Sequence, residues 1–189
     1  MLYTRMDIKL LFTSIVAIEK LNLDNSILEK YCRDNIQEFS QSIFLDLSAK
    51  EILPLVDQVQ EKINYLHNEL GFAKDLKQQI HQGWANLNNS EPINSVHCHP
   101  SSFFNAVYYV TAPKDGAELV LLSPVQEIDH VIYQRMVNEY NAFSSAFQVI
   151  KPEPGMLVIM PGWIKHYVRQ HKSSEDRISM AFDSAMIEK

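Results

Sequence analysis

Across 189 residues the chain is 46% hydrophobic and 21% charged, an ordinary composition for a folded domain with a large core. Its formal net charge of -6 and pI of about 5.6 argue against a general nucleic-acid binder, which carries a basic face. Two cysteines in dissimilar contexts, Cys32 and Cys98, exclude a disulfide framework and point to a reducing cytoplasm, while the apolar run Leu10 to Ile18 is too short to span a bilayer.

The charged start, with Arg5 and Asp7, does not suit a signal peptide. Ile8 to Leu21 is apolar with a β-branched centre and reads as a strand. Asp24 or Asn25 can cap a helix in which Ile27, Leu28, Tyr31, Cys32, Ile36 and Phe39 recur at helical spacing. A second helix is expected from about Ser48 to Gly71, with Pro54 in its first turns and a broad apolar stripe from Ile52 to Leu70. Both helices read as scaffold for a sheet, and His67 as a surface or helix-edge residue outside any site.

From about His81 the chain changes to short β-like runs divided by turn residues. The expected strands are Gly83 to Asn88, the segment around His97, Phe103 to Val110, Ala117 to Leu122, Phe147 to Ile150, Met156 to Met160, Trp163 to Val168 and Arg177 to Phe182. Glu127 to Phe147 reads as an excursion with one helix, open between a lid over the site, a dimer contact and an insertion. About eight short strands at this spacing predict a closed sandwich or barrel. Helices first and strands second predict a mainly β fold, a double-stranded β-helix (jelly roll, cupin-like) with the helices packed on one side. The chain is taken as one domain over 1–189, with the N-terminal strand and supporting helices in 1–80 and the β core in 81–189.

The stretch Val96-His97-Cys98-His99-Pro100 puts two histidines one residue apart, directly before an aromatic strand. In a strand, His97 and His99 share a face and Cys98 points the other way, towards a packed interior. Two imidazoles on one face make half a metal site, and His166 on a later strand can complete it. In the last strand Arg177, Ser179 and Ala181 share one face, and Ile178, Met180 and Phe182 the other. The apolar face suits the core beneath the helices, so Arg177 points into the barrel beside His166. A buried guanidinium must meet an anion, and its planar fork matches a carboxylate, to which Ser179 adds a hydroxyl. Three metal-binding histidines with an arginine–serine pair suit an iron(II) centre that takes a 2-oxo acid and O2 in open positions, with a cation for the acid's far carboxylate.

The ordered motifs Trp84-Ala85-Asn86, His97-x-His99-Pro100, Val107-Tyr108-Tyr109-Val110, Pro154-Gly155, Pro161-Gly162-Trp163, His166-x-Val168 and Arg177-Ile178-Ser179 resemble a family of 2OG-Fe(II) oxygenases of bacteria and marine phages, relatives of the prolyl hydroxylases. The resemblance spans roughly residues 80–184 and extends weakly to Leu11-Phe12-Thr13-Ser14-Ile15-Val16. It implies an Fe(II)- and 2-oxoglutarate-dependent dioxygenase that hydroxylates an unidentified substrate, such as a prolyl or another protein side chain, releasing succinate and CO2. It also implies His97 and His166 as metal ligands, with His99 where the wider superfamily places a carboxylate. Arg177, Ser179 and Tyr109 are implied as holders of 2-oxoglutarate, with Asn86 a weaker candidate. The expected partners are 2-oxoglutarate, O2 and a protein or peptide substrate, with no nucleic acid and no membrane. Related barrels pair through helices, which implies a homodimer. The expected place is the cytoplasm of a bacterium, or of the host cell for a phage-encoded chain.

Two departures carry consequences. Relatives read Ser-Gly where this chain has Asn105-Ala106, and both changes add bulk to a strand expected to line the pocket. With His99 in place of a carboxylate, the site carries no negative protein charge, which weakens iron binding by the empty protein and tightens acid binding. Rival readings are a three-histidine cupin-type metalloenzyme that does without 2-oxoglutarate, such as a thiol dioxygenase, and a non-catalytic jelly roll that binds a small acid or a partner. Trp84 and Trp163 read as packing anchors, and His81, His130 and His171 as residues outside the site.

Overall fold

The structure, a computed structural model, describes residues 13–36, 41–88, 95–125, 136–141, 144–170 and 173–189. Strand β1 (Ala17–Lys20) is followed by α1 (Asn25–Asn35), β2 (Ser42–Phe44) and α2 (Leu53–Glu69). Then come β3 (Leu76–Asn88), β4 (Phe104–Thr111), β5 (Leu119–Leu122), β6 (Phe147–Ile150), β7 (Met156–Pro161), β8 (His166–Val168) and β9 (Arg177–Glu188). The strands form two antiparallel sheets, one in the order β1-β7-β4-β9-β3-β2 and a smaller one in the order β6-β5-β8.

Alternation along β4 and β9 sets the layers. Phe104, Ala106, Tyr108, Ile178, Met180 and Phe182 join Leu28 and Cys32 of α1 and Leu55, Val59 and Ile63 of α2 in one apolar cluster. On the other face Val107, Tyr109 and Ala181 pack with Leu119, Leu121 and Ile150 of the small sheet. The helices thus cover one face of the large sheet, and the small sheet closes over the other, as the sequence pattern predicts. Each fully buried aliphatic side chain in these clusters stabilises the fold by about 1.5–3 kcal/mol. The Tyr108 hydroxyl donates to Asn25 Oδ1 at 2.6 Å, and Asn25 Nδ2 donates to the Val110 carbonyl, which ties the start of α1 to β4.

Several boundaries differ from expectation. Asp24 caps α1 by accepting from the Ser26 amide, as read. The second helix starts at Leu53 rather than near Ser48, because Asp46 Oδ1 takes both the amide and the hydroxyl of Ser48 in a local turn. Pro54 then lies in the first helical turn, where no amide donor is needed, and Gly71 ends the element at a φ of 72°. Strand β3 begins at Leu76 rather than Gly83, and β9 runs to Glu188 rather than Phe182. These two ends pair with each other, from Leu76↔Glu188 through Ile80↔Ser184, so sheet pairing overrides a polar sequence. Strand β1 is shorter than Ile8 to Leu21 suggests; residues 8–12, Phe39, His130, His171 and most of the Glu127–Phe147 excursion lie outside the described residues.

Candidate functional site

His97 and His99 do not sit on a regular strand. The segment before β4 is held as a loop by a backbone clamp: His97 and His166 exchange amide–carbonyl bonds at 3.0 and 2.8 Å, and the His99 amide donates to the Gly162 carbonyl at 2.7 Å. Gly162 is required there by close approach, since a Cβ would meet the carbonyl oxygens of Ser102 and His99. The clamp brings His97 and His99 up to His166 at the head of β8.

A metal-ligand atom from each of His97, His99 and His166 lies within 4.8 Å of the others. The His97 and His166 rings are 4.4 Å apart between centroids, and each stands 5.3 Å from His99. His97 Nδ1 lies 2.7 Å from the Ser95 carbonyl, and His166 Nδ1 2.9 Å from that of Ile164. A carbonyl can only accept, so each Nδ1 carries the proton and each Nε2 keeps a free lone pair. Burial pushes the His166 imidazole down to about 4, and its neighbours His97 and His99 add to that fall, so it is neutral at physiological pH. A neutral imidazole with a free Nε2 is the form that ligates a metal.

Behind the histidines a narrow slot of about 30 Å³ is lined by Asn86, Asn105, Val107, Arg177 and Ser179 among others. Arg177 is 2% exposed. Its Nη1 donates to Asn88 Oδ1 at 2.8 Å and to Ser179 Oγ at 2.9 Å, while its Nε has no partner among the described residues. Among the described residues no carboxylate forms an ion pair with it. The guanidinium carbon lies 5.0 Å from the centre of the Tyr109 ring. The buried Tyr109 hydroxyl is also without a hydrogen bond among the described residues; burial raises its pKa, and the neighbouring guanidinium opposes that rise. A buried cation with an idle donor, beside an idle phenol, is a setting for an anion.

Asn105 lines the slot, as expected, but Ala106 points to the helices and takes no room from it. Asp183 escapes the sequence reading. It is 1% exposed, and its Oδ1 stands 3.3 Å from His99 Nδ1 and 2.9 Å from the donor Asn105 Nδ2. Its Oδ2 accepts from Gln82 Nε2 at 2.9 Å. Burial favours its neutral form, but these contacts outweigh burial and bring the carboxyl down to about 2. The expectation of a site without negative protein charge is therefore corrected: a buried carboxylate lies one contact behind His99. The signal was the face shared by Arg177, Ser179 and Ala181, which reaches Asp183 once β9 continues past Phe182. Asn88, the partner of Arg177, stands in the sequence only as the end of the expected Gly83–Asn88 strand.

Outside the histidines a cleft of about 590 Å³ opens to solvent, lined by Phe44, Gln82, Trp84, Cys98 and Pro100 among others. Cys98 is thus half-buried on the cleft wall and not packed in the core. Trp84 stacks on His99 at 5.3 Å and lines both slot and cleft, whereas Trp163 is 53% exposed, so neither acts only as a packing anchor. His67 is buried against the Ala73 carbonyl and the Phe72 ring, not on the surface, and is far from this chemistry in role. His81 is exposed.

No curated protein matches this sequence. Among solved structures it is similar to a Pseudomonas putida prolyl-4-hydroxylase, at 13% identity and a TM-score of 0.61, covering 90% of this chain and 93% of that one. It is similar to HygX from Streptomyces hygroscopicus, solved with nickel and 2-oxoglutarate bound, at 11% identity and a TM-score of 0.61, over 92% and 82% of the two chains. The viral collagen prolyl hydroxylase of Paramecium Bursaria Chlorella virus-1 follows at 13% identity and a TM-score of 0.56, over 89% and 90%. At these identities the likeness establishes the jelly-roll fold. Among the described residues no helix is long and apolar enough to cross a membrane. The sequence profile described as "Putative 2OG-Fe(II) oxygenase" matches residues 82–183, more than half of the chain, and on that match the chain belongs to the 2OG-Fe(II) oxygenases, enzymes that use iron(II) and 2-oxoglutarate.

Proposed function

We propose that this oxygenase hydroxylates a side chain of a peptide or protein, a prolyl ring foremost, with iron(II) held by Nε2 of His97, His99 and His166. 2-Oxoglutarate is held at its far carboxylate by Arg177, Ser179 and Tyr109. The observation that carries this reading is the convergence of three imidazoles on one point, with a buried Arg177, unpaired with any carboxylate among the described residues, lining the slot behind them. The donor set fits both groups: neutral nitrogen ligands suit iron(II), and the idle Arg177 Nε and Tyr109 hydroxyl suit a carboxylate. Iron(II) with 2-oxoglutarate supplies the power to insert one oxygen atom of O2 into a substrate C–H bond, the other leaving in succinate as CO2 is released.

The protein's own residues bind, aim and shelter. Arg177 exchanges its internal bonds to Asn88 and Ser179 for the incoming carboxylate, so the desolvation of both charges is offset by their pairing. The slot, near the space of a single water, admits a five-carbon diacid only as its lining side chains move outward. The cleft presents Phe44, 81% exposed, and the Trp84 ring next to His99, apolar faces on which a prolyl ring can stack. The hydroxylation of prolyl residues named for the Pseudomonas and viral structures supports this substrate class. A cytoplasmic location accords with the free thiols Cys32 and Cys98.

The test is anaerobic addition of iron(II) and 2-oxoglutarate, which should give a weak visible charge-transfer band, followed by succinate release in air with proline-containing peptides. His166→Ala should abolish the band. Turnover independent of 2-oxoglutarate would return the chain to the three-histidine metalloenzymes that do without it, and binding without turnover to the non-catalytic jelly rolls.

A further inference from the structure

We propose that Asp183 is a positioning residue of the metal centre: through His99 it supplies the negative charge that a carboxylate ligand would otherwise bring, and it fixes His99 with Nε2 towards the metal. The inference rests on the iron site proposed above and concerns what lies behind it.

Three groups converge on Asp183. Asn105 Nδ2 and Gln82 Nε2 donate to its two oxygens, and His99 Nδ1 stands 3.3 Å from Oδ1. A carboxylate meets all three with no hydrogen of its own, whereas an amide at 183 would require Gln82 to turn its carbonyl oxygen round. Both oxygens of Asp183 are engaged and it is 1% exposed, so it does not reach the metal itself. A buried carboxylate survives where it is met by donors, and here one donor is the ring that the other two histidines face.

His97 and His166 rest their Nδ1 atoms on neutral carbonyls; His99 alone faces a charged acceptor. A carboxylate behind an imidazole raises the electron density at the opposite nitrogen and holds the tautomer. Trp84 stacks on the face of the His99 ring, so the ring is fixed in plane by aromatic contact and in rotation by Asp183 at its edge. The three-histidine set thus keeps one negative charge, displaced outward by one ring.

The experiment uses the full metal-free chain and cobalt(II) as the probe, with affinity read by titration and the ligand field by visible absorption. Wild type should bind one cobalt(II). Asp183→Asn should bind it 10–100-fold more weakly. His99→Asp places a second carboxylate beside Asp183, and should also bind poorly. In the double variant His99→Asp/Asp183→Asn that repulsion is gone, and affinity should recover at least tenfold over His99→Asp alone. A residue that only packs would weaken both backgrounds by the same factor, so failure of this recovery overturns the proposal. Nitrogen-15 NMR of the metal-free wild type needs no variant: His99 should be protonated at Nδ1, and protonation at Nε2 overturns the proposal. Should wild type bind no cobalt(II), the metal site itself falls, an outcome separate from a wild type that binds and an Asp183→Asn that binds equally well.

Discussion

Arg177 shows how much one side chain can reveal. A guanidinium is costly to bury, and among the described residues this one meets the neutral Asn88 and Ser179 on Nη1 and leaves Nε idle. Its face on the last strand was legible from the alternation Arg177, Ser179, Ala181 against Ile178, Met180, Phe182, which packing reproduces. Its partner Asn88 and its strand neighbour Asp183 were not legible, because one stood at the end of an expected strand and the other just beyond one. Arg177→Lys keeps the charge but loses the planar fork, and the shorter reach leaves one carboxylate oxygen unmet. Affinity for 2-oxoglutarate, titrated anaerobically into the iron(II)-loaded protein, should fall about 10–100-fold, the worth of one or two charge-assisted hydrogen bonds. Metal affinity should stay as in wild type, since Arg177 faces the acid and not the ion. Equal affinity for 2-oxoglutarate in both proteins would remove Arg177 from the role given to it.

At the scale of elements, the site depends on a clamp more than on a strand. Period-two alternation placed His97 and His99 on a common face, and the two rings do meet His166, but through loop backbone bonded to the Gly162–His166 segment. Hydrophobic periodicity cannot see such a clamp, because its bonds are between main-chain groups of any sequence. What the sequence does carry is Gly162, where a Cβ would strike two backbone oxygens that cannot swing aside as a side chain could. Gly162→Ala must therefore push the His99–Ser102 turn away from β7, stretching the 2.7 Å bond from the His99 amide to the Gly162 carbonyl. The expected cost is about 3 kcal/mol in urea unfolding, at the upper end for overpacking because the obstacle is backbone. Cobalt(II) affinity should fall at least tenfold while the far-ultraviolet spectrum of helices and sheets is kept. Unaltered metal binding would mean that the turn has slack the structure does not suggest.

For the whole molecule, the helix-then-strand order and the two faces of β4 and β9 made the layered jelly roll legible, while the pairing of the polar starts and ends of β3 and β9 was not. The same layering buries the site's ionisable groups, and that ties stability to pH. His166 is held down to about 4 against an ordinary 6.5, chiefly by burial. Between those values the unfolded chain takes up a proton that the folded one refuses, so stability is complete above about 6.5 and is lost as pH falls towards 4. A shift of that size corresponds to about 3 kcal/mol. Asp183, held at about 2 against an ordinary 3.8, adds a second loss below pH 4, where protonation breaks its contacts with His99, Asn105 and Gln82. Urea unfolding of metal-free protein should thus show stability falling steadily from pH 7 to pH 4. In His166→Asn, whose amide can still donate to the Ile164 carbonyl, the slope over that range should flatten by the His166 share. Wild type and His166→Asn falling in parallel would mean that His166 charges freely in the folded state, and a metal ion would then have to displace a proton to bind there, making its affinity fall with pH already below about 6.5.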